Sequence, residues 1–453
     1  IKKVNILMTS ILIKNAKIIN ENSQKISDVL IKGERIEKIS EDISVDFKCK
    51  IIEAEGLHLI PGLIDDQVHF REPGLTHKAE IYTESMAAVA GGVTSYMEMP
   101  NTIPNATNIK ELEKKYLVGN KKSFANYSFY IGATNNNLDE VLKIDKNKVC
   151  GIKIFMGSST GNMLVDHDEA LKNIFKNAET IITTHCEDES TIKNNTVKAI
   201  KKYGNDIPIS QHPIIRSREA CYKSSSKAIS LAKEYGSKLH VLHISSAEEL
   251  NLFNNSLDLK NKKITSEACL HHMWFDERDY KNLGSLIKWN PAVKTKNDRN
   301  AIIDGLNNNY IDVIATDHAP HTIEEKSKSY LDCPSGGPLI QQSLSLLLEM
   351  YHNNSISLET IVTKTSHNPS ILFNIKERGF IRENYFADVV LVDLNNPYKV
   401  SDQKLFSKCD WSPLKNETFK SKVIHTIVSG NHIYKDSKIN GSPKSMRLEF
   451  ERD

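Results

Sequence analysis

Short β-rich runs that each end in a polar cluster recur along most of this chain. That recurrence constrains the fold more than any other feature. Residues 62–68 lead into His69, Phe70, Arg71, Glu72, Pro73 and Gly74. Residues 93–99 run into Pro100, Asn101 and Thr102, and residues 151–156 precede a small, polar loop at 157–161. Residues 181–184 end at His185, Cys186 and Glu187, and residues 239–242 end at His243, Ile244, Ser245 and Ser246. Residues 264–268 lead to His271 and His272, while residues 312–315 end at Thr316, Asp317, His318, Ala319, Pro320 and His321. Segments between them, such as 192–203 and 217–235, carry helix formers with scattered apolar positions. Alternating strand and helix implies an α/β chain with a parallel sheet. Chemistry gathered at the C-terminal strand ends implies a (β/α)8 TIM-like barrel.

Two flanking regions break the alternation. Residues 10–60 hold short apolar runs separated by the turn signals at 20–22 and 32–34, and residues 379–434 repeat that style. Neither flank is long enough to bury much core alone. They are therefore expected to form one composite β-sandwich from both chain ends. The expected division is 1–60 for its N-terminal part, 61–372 for the barrel and 373–453 for its C-terminal part. The length of 453 residues suits a barrel of ~250 residues or more with an appended module.

The formal net charge of +2 gives no electrostatic case for nucleic acid or an anionic membrane. No apolar run approaches the ~20 residues that span a bilayer, and residues 6–13 are interrupted by Thr9 and Ser10, a poor signal-peptide core. The 7 cysteines form no CxxC pair and read as free thiols in a reducing cytosol. The chain begins at Ile1 with a methionine at Met8, so residues 1–7 are expected to precede the native start. The heavy use of Lys, Asn and Ile, even in loops, reads as nucleotide bias.

Residues 62–74 carry the sharpest chemical signal. Strand side chains at i and i+2 share a face and can grip one ion. Here the first position of such a pair is Gln67 and only His69 is a histidine. Alone, a strand-end histidine such as His69 is more often a satisfied structural residue than a ligand; the similar strand ends downstream argue for metal.

Taken in order, these segments identify a resemblance. The HFREPG run at 69–74, the stretch 99–102, Lys153 with its neighbours at 154–155, the run 243–246, Asn290 with Pro291, the run 316–321 and the stretch 411–413 resemble the amidohydrolase superfamily and, within it, the dihydroorotases. The likeness spans nearly the whole chain. Hydantoinases and allantoinases share the metal residues, but Arg71 to Gly74 and the Asn101 loop favour dihydroorotase. A non-catalytic relative acting as a partner protein is the rival class. It would be expected to lack Lys153 or Asp317, and this chain has both.

The resemblance implies zinc-dependent hydrolysis of a cyclic amide. His69 and Asp317 would hold one Zn2+, His185 and His243 a second, and Lys153, carboxylated by carbon dioxide, would join them. Asp317 would also be the catalytic proton carrier. Arg71 would pair with a substrate carboxylate, aided by Asn101 and His321. Asn290, Ser335 and Gly336 would contact the ring, and the loop 157–162 would close over it. An amide oxygen is a poorer Zn2+ ligand than imidazole, so Gln67 would weaken the site shared by His69 and Asp317. The expected partner is a small molecule, with a homodimer compatible with the resemblance and a cytoplasmic location.

Overall fold

The computed structural model describes residues 10–157 and 163–452. The extension at 1–7 and most of the loop 157–162 lie outside the described residues.

β-Branched and aromatic residues dominate the central strands, whose residues are buried on both faces, the pattern of a parallel sheet covered on each side. Three strands, Leu63–Val68, Val93–Glu98 and Asn126–Phe129, pair in parallel in that order. A second parallel arc runs from Ile131–Gly132 through Ile152–Phe155, Ile182–His185, Leu239–Val241 and Ile264–Cys269 to Val313–Ala315. Only Tyr130 separates the two arcs along the chain. At the other side Val68 bridges His318 in parallel, and the His69 N–H donates to the His318 carbonyl at 2.8 Å.

Helices fill the intervals. The segments read as helix former-rich at 192–203 and 217–235 lie in Glu189–Tyr203 and Arg218–Tyr235. Asp188 and Ser217 cap them by accepting the N–H groups of Thr191 and Ala220, which satisfies first-turn donors that lack an intrahelical partner. Gly236 ends the second helix at φ 72°, a left-handed position that glycine adopts without a Cβ clash.

Both chain ends contribute to a nine-stranded sheet. The strand His58–Pro61 lies between Ser10–Asn20 on one side and Val389–Asp393 on the other. Lys422–Val428, Asn431–Lys435 and Lys438–Ile439 extend it. The hydrogen bonding joins these strands into one branched sheet. Ser10–Asn20 bulges between Ile13 and Ala16 against Ser23–Lys32, with Asn15 at φ 57°. On its other edge the first half pairs with Lys50–Glu53 and the second with His58–Pro61. Ile11, Ile13, Val29 and Leu59 share a core with Val389, Leu391 and Ile427, distinct from the core around the parallel strands.

The last described residues also reach the parallel strands. Arg447 bridges Tyr127, and Phe450 bridges Ile375. Leu448 and Phe450 join Ile64, Met97, Tyr130 and Phe373 in a cluster inside the parallel core. Arg452 fastens this segment by donating to the carbonyls of Lys146, Val149, Cys150 and Phe373.

A buried ion pair between Arg378 and Asp388 sits where the sheet meets the core. Asp388 also accepts from Asn126 Nδ2 at 3.1 Å and the Ser429 N–H at 2.7 Å. Asp388→Asn leaves the Arg378 guanidinium uncompensated, which costs about 3–5 kcal/mol. A urea unfolding midpoint indistinguishable from that of the unaltered chain would count against this seam as a determinant of stability.

Candidate active site

The C-terminal ends of the parallel strands open on a cavity of about 110 Å3. That is the scale of one small organic molecule. Its wall includes Gln67, His69, Arg71, Asn101, Lys153, His185, His243, Asn290, Asp317, Ser335 and Gly336. Every expected site residue except His321 therefore borders one space. A larger groove of about 760 Å3, bordered by Ile181, Lys238 and Lys263, lies near the opposite strand ends and contains none of these groups.

His185 is the best-defined member. Its Nε2 faces Glu187 Oε2 at 3.0 Å, and Arg216 holds the same carboxylate oxygen. Burial pulls the His185 pKa below its ordinary value, and Lys153 adds to that against Glu187. The neutral ring thus keeps its proton on Nε2 and leaves a lone pair on Nδ1. That lone pair faces His243 Nε2 at 3.0 Å. Burial lowers the His243 pKa as well, and its Nδ1 has no hydrogen-bond partner.

A second pair stands across the cavity. Asn101 Oδ1 accepts from His69 Nδ1 at 2.8 Å, which leaves the Nε2 lone pair 3.3 Å from Asp317 Oδ1. Burial, then Arg71, holds the His69 pKa far below its usual value, so this is not a conventional imidazolium–carboxylate pair. Donors bound to one tetrahedral ion at ~2.0–2.1 Å sit roughly 3.3 Å from one another. Both pairs fit a divalent metal.

Lys153 is buried, and among the described residues no carboxylate comes within ion-pair distance of its Nζ. The salt bridge that would explain an ordinary buried lysine is absent there. Burial lowers its pKa to about 8, which increases the fraction present as the free, nucleophilic amine. Burial also raises the Asp317 pKa to about 7, against the pull of Lys153, His185 and Arg71. A group titrating there can both accept and return a proton near neutrality.

Gln67 Nε2 donates to Asp317 Oδ1 at 3.2 Å, while its Oε1 accepts the Cys269 thiol at 3.6 Å. An ionised carboxylate has no proton to give, so the amide presents its nitrogen to Asp317. In this orientation Gln67 steadies Asp317 and offers it no second metal ligand.

Arg71 is 3 % exposed. Its Nε donates to the Pro320 carbonyl at 3.1 Å, and its Nη2 donates to His321 Nε2 at 3.0 Å. His321 packs against Arg71, with Nδ1 3.5 Å from Glu325 Oε2, and is not among the residues that border the cavity. Asn101 borders the cavity but spends its carbonyl on His69. Asn290 Oδ1 is buried without a partner, a polar atom available to a ligand. Lys326 donates to the Pro334 and Gly336 carbonyls at 3.0 and 2.8 Å and fixes the turn bearing Ser335.

Sequence reasoning passed over Glu187, Phe155 and Trp289. Glu187, two residues after His185, could have been found as its strand-end partner. Trp289 borders the cavity, donates to the Asp317 carbonyl at 3.3 Å and stacks on His271. Its position two residues before Pro291 carried no signal of that.

The profile of the amidohydrolase family matches residues 58–433. The chain belongs to the amidohydrolase family. Among curated relatives, the dihydroorotase of Methanosphaera stadtmanae is 33 % identical over 95 % of this chain and 98 % of its own length. That of Ehrlichia canis is 31 % identical over 93 % of this chain and 94 % of its own. An L-hydantoinase (dihydropyrimidinase) from Arthrobacter aurescens has a similar solved structure, with a TM-score of 0.91 and 24 % identity, covering 96 % of this chain and 98 % of that one. That likeness establishes the fold of this amidohydrolase. Among the described residues all 7 cysteines are free, and no helix is long and apolar enough to cross a membrane.

Nitrogen-15 NMR on metal-free protein should find His69 neutral with its proton on Nδ1, and His185 neutral with its proton on Nε2. A proton on His185 Nδ1 at neutral pH contradicts the convergence of His185 and His243 on a shared ion.

Proposed function

We propose that this amidohydrolase is a dihydroorotase, interconverting (S)-dihydroorotate and N-carbamoyl-L-aspartate in de novo pyrimidine synthesis. The observation that carries this reading is the cavity's composition. A buried guanidinium faces the same small space as two converging donor pairs and a proton carrier. The curated relatives named dihydroorotase, similar over nearly their full length, support it. The two arcs of parallel strands, joined through Val68 and His318, support one closed (β/α)8 barrel within residues 61–372, with the branched sheet as the second unit.

His69, Asp317, Lys153, His185 and His243 would hold divalent metal, Zn2+ in our reading. When bound, such an ion supplies Lewis acidity toward the amide carbonyl and a water that ionises near neutrality. Lys153 would join two such ions as a carbamate, formed when its free amine adds carbon dioxide and releases a proton. The intact mass of the Lys153 peptide, kept under carbon dioxide, tests that modification.

The rest falls to the chain's own groups. Arg71 receives the substrate carboxylate through paired hydrogen bonds, and His321 with Glu325 keeps the guanidinium aimed. Asn290 and the turn at Ser335 and Gly336 meet the ring amide. As water adds to the carbonyl carbon, Asp317 takes its proton. It then returns that proton to the ring nitrogen as the C–N bond breaks. Cyclisation uses the same group in the opposite order. The protein is read as cytoplasmic on its free thiols, and a homodimer suits the reading.

Purified protein should open dihydroorotate and leave unsubstituted hydantoin nearly untouched, because a neutral ring gives Arg71 nothing to pair with. Arg71→Met should lower kcat/KM for dihydroorotate about 100-fold or more, the equivalent of about 3 kcal/mol for a buried ionic partner, with metal content intact. Normal turnover by that variant would refute the substrate while sparing the reaction class.

Gln67→His restores an i, i+2 imidazole pair on the first strand. It should tighten Zn2+ at the His69 and Asp317 pair, measured as slower loss of metal to a chelator. Unchanged release would show that Gln67 does not stand at a ligand position.

A further inference from the structure

Beneath the cavity, three ionisable side chains meet inside the parallel core. They are Asp66 on Leu63–Val68, His240 on Leu239–Val241 and Glu267 on Ile264–Cys269. All three are fully buried, and their ligand atoms lie within 4.8 Å of one another. None belongs to the set that borders the cavity. We propose that Asp66, His240 and Glu267 form a separate, enclosed site for a divalent transition-metal ion.

Hydrogen bonding fixes the orientation of His240. Thr265 donates its hydroxyl proton to the Leu239 carbonyl at 3.2 Å, so it accepts from His240 Nδ1 at 2.8 Å. The other ring nitrogen, Nε2, therefore faces the two carboxylates. It lies 3.2 Å from Asp66 Oδ2 and 3.8 Å from Glu267 Oε2, but neither contact has the alignment of a hydrogen bond. Both carboxylate oxygens of Asp66, and Glu267 Oε2, also lack a hydrogen-bond partner. Glu267 Oε1 is already taken by the His243 N–H at 2.9 Å and the Cys269 thiol at 3.2 Å.

Four buried polar atoms thus converge without satisfying one another, an arrangement costly in a low-dielectric interior. A proton on Nε2 leaves one net negative charge if both carboxylates are ionised, and it does not repair the misalignment. A divalent ion with neutral imidazole and two carboxylates balances the charge and takes a lone pair from each side chain. The 3.2 Å separation suits donors sharing one ion. Burial pulls the His240 pKa down, yet Asp66 and Glu267 together raise it above its ordinary value. One imidazole and two carboxylates favour Zn2+, Mn2+ or Fe2+ over Ca2+ or Mg2+.

The neighbours are protein on every recorded side. The Phe373 ring packs against His240 with centroids 6.0 Å apart, and the Tyr130 hydroxyl donates to the Asp66 carbonyl at 3.0 Å. An ion enclosed there would pin three strands together and, through Glu267 Oε1, support the backbone at His243. It would exchange far more slowly than ions in the open cavity.

The test is elemental analysis and anomalous diffraction on full-length protein grown with Zn2+ and dialysed against chelator under native conditions. Unaltered protein should retain close to one Zn2+ per chain, with an anomalous peak roughly 2.0–2.1 Å from His240 Nε2. Asp66→Asn and His240→Gln should each lose that ion. Folded, unaltered protein that retains no metal, or whose anomalous map lacks a peak among the three side chains, overturns the proposal. If both variants fail to fold, the map of the unaltered protein decides alone.

Discussion

Burial on both faces of the parallel strands governs the chemistry of this molecule. A polar side chain that leaves such a strand has no water to turn to, so it must find its partner among other strand ends. Arg216 meets Glu187, Glu187 orients His185, and His185 turns its free nitrogen toward His243. Asn101 similarly fixes His69, while His321 fixes Arg71. The site is therefore arranged before any ligand arrives, and Glu187, Asn101 and His321, which aim its side chains, are themselves buried.

That dependence explains what could be read from the sequence. Strand ends announce themselves locally, since β-rich runs followed by His69, His185, His243 or Asp317 need no knowledge of their neighbours. The convergence of these residues followed from the alternation of strand and helix, and they border one cavity. Sequence order did not reveal that His321 packs against Arg71. Gln67 was legible as a departure, but its hydrogen bonds to Asp317 and Cys269 join three different strands. Asp66, His240 and Glu267 lay inside runs already read as strands, where spacing does not reveal which side chains meet across the core.

The branched sheet presents a similar limit. Its membership from both chain ends followed from two flanks too small to stand alone. Its hydrogen bonding did not follow, because one edge of Ser10–Asn20 takes two partners in turn, Lys50–Glu53 and His58–Pro61. The final described residues also reach the parallel strands, where Leu448 and Phe450 pack with Tyr130 and Phe373. Long-range apolar contacts overrode the local pattern there.

The placement of His58–Pro61 between Ser10–Asn20 and Val389–Asp393 has a consequence during synthesis. One edge of that strand can pair only after most of the chain has left the ribosome. Until then the emerging polypeptide carries an open backbone edge and an uncovered Ile- and Leu-rich face, both templates for association with other nascent chains. The architecture that closes the mature molecule from both ends makes its birth the period of greatest exposure to aggregation, and makes chaperone capture of the N-terminal strands advantageous.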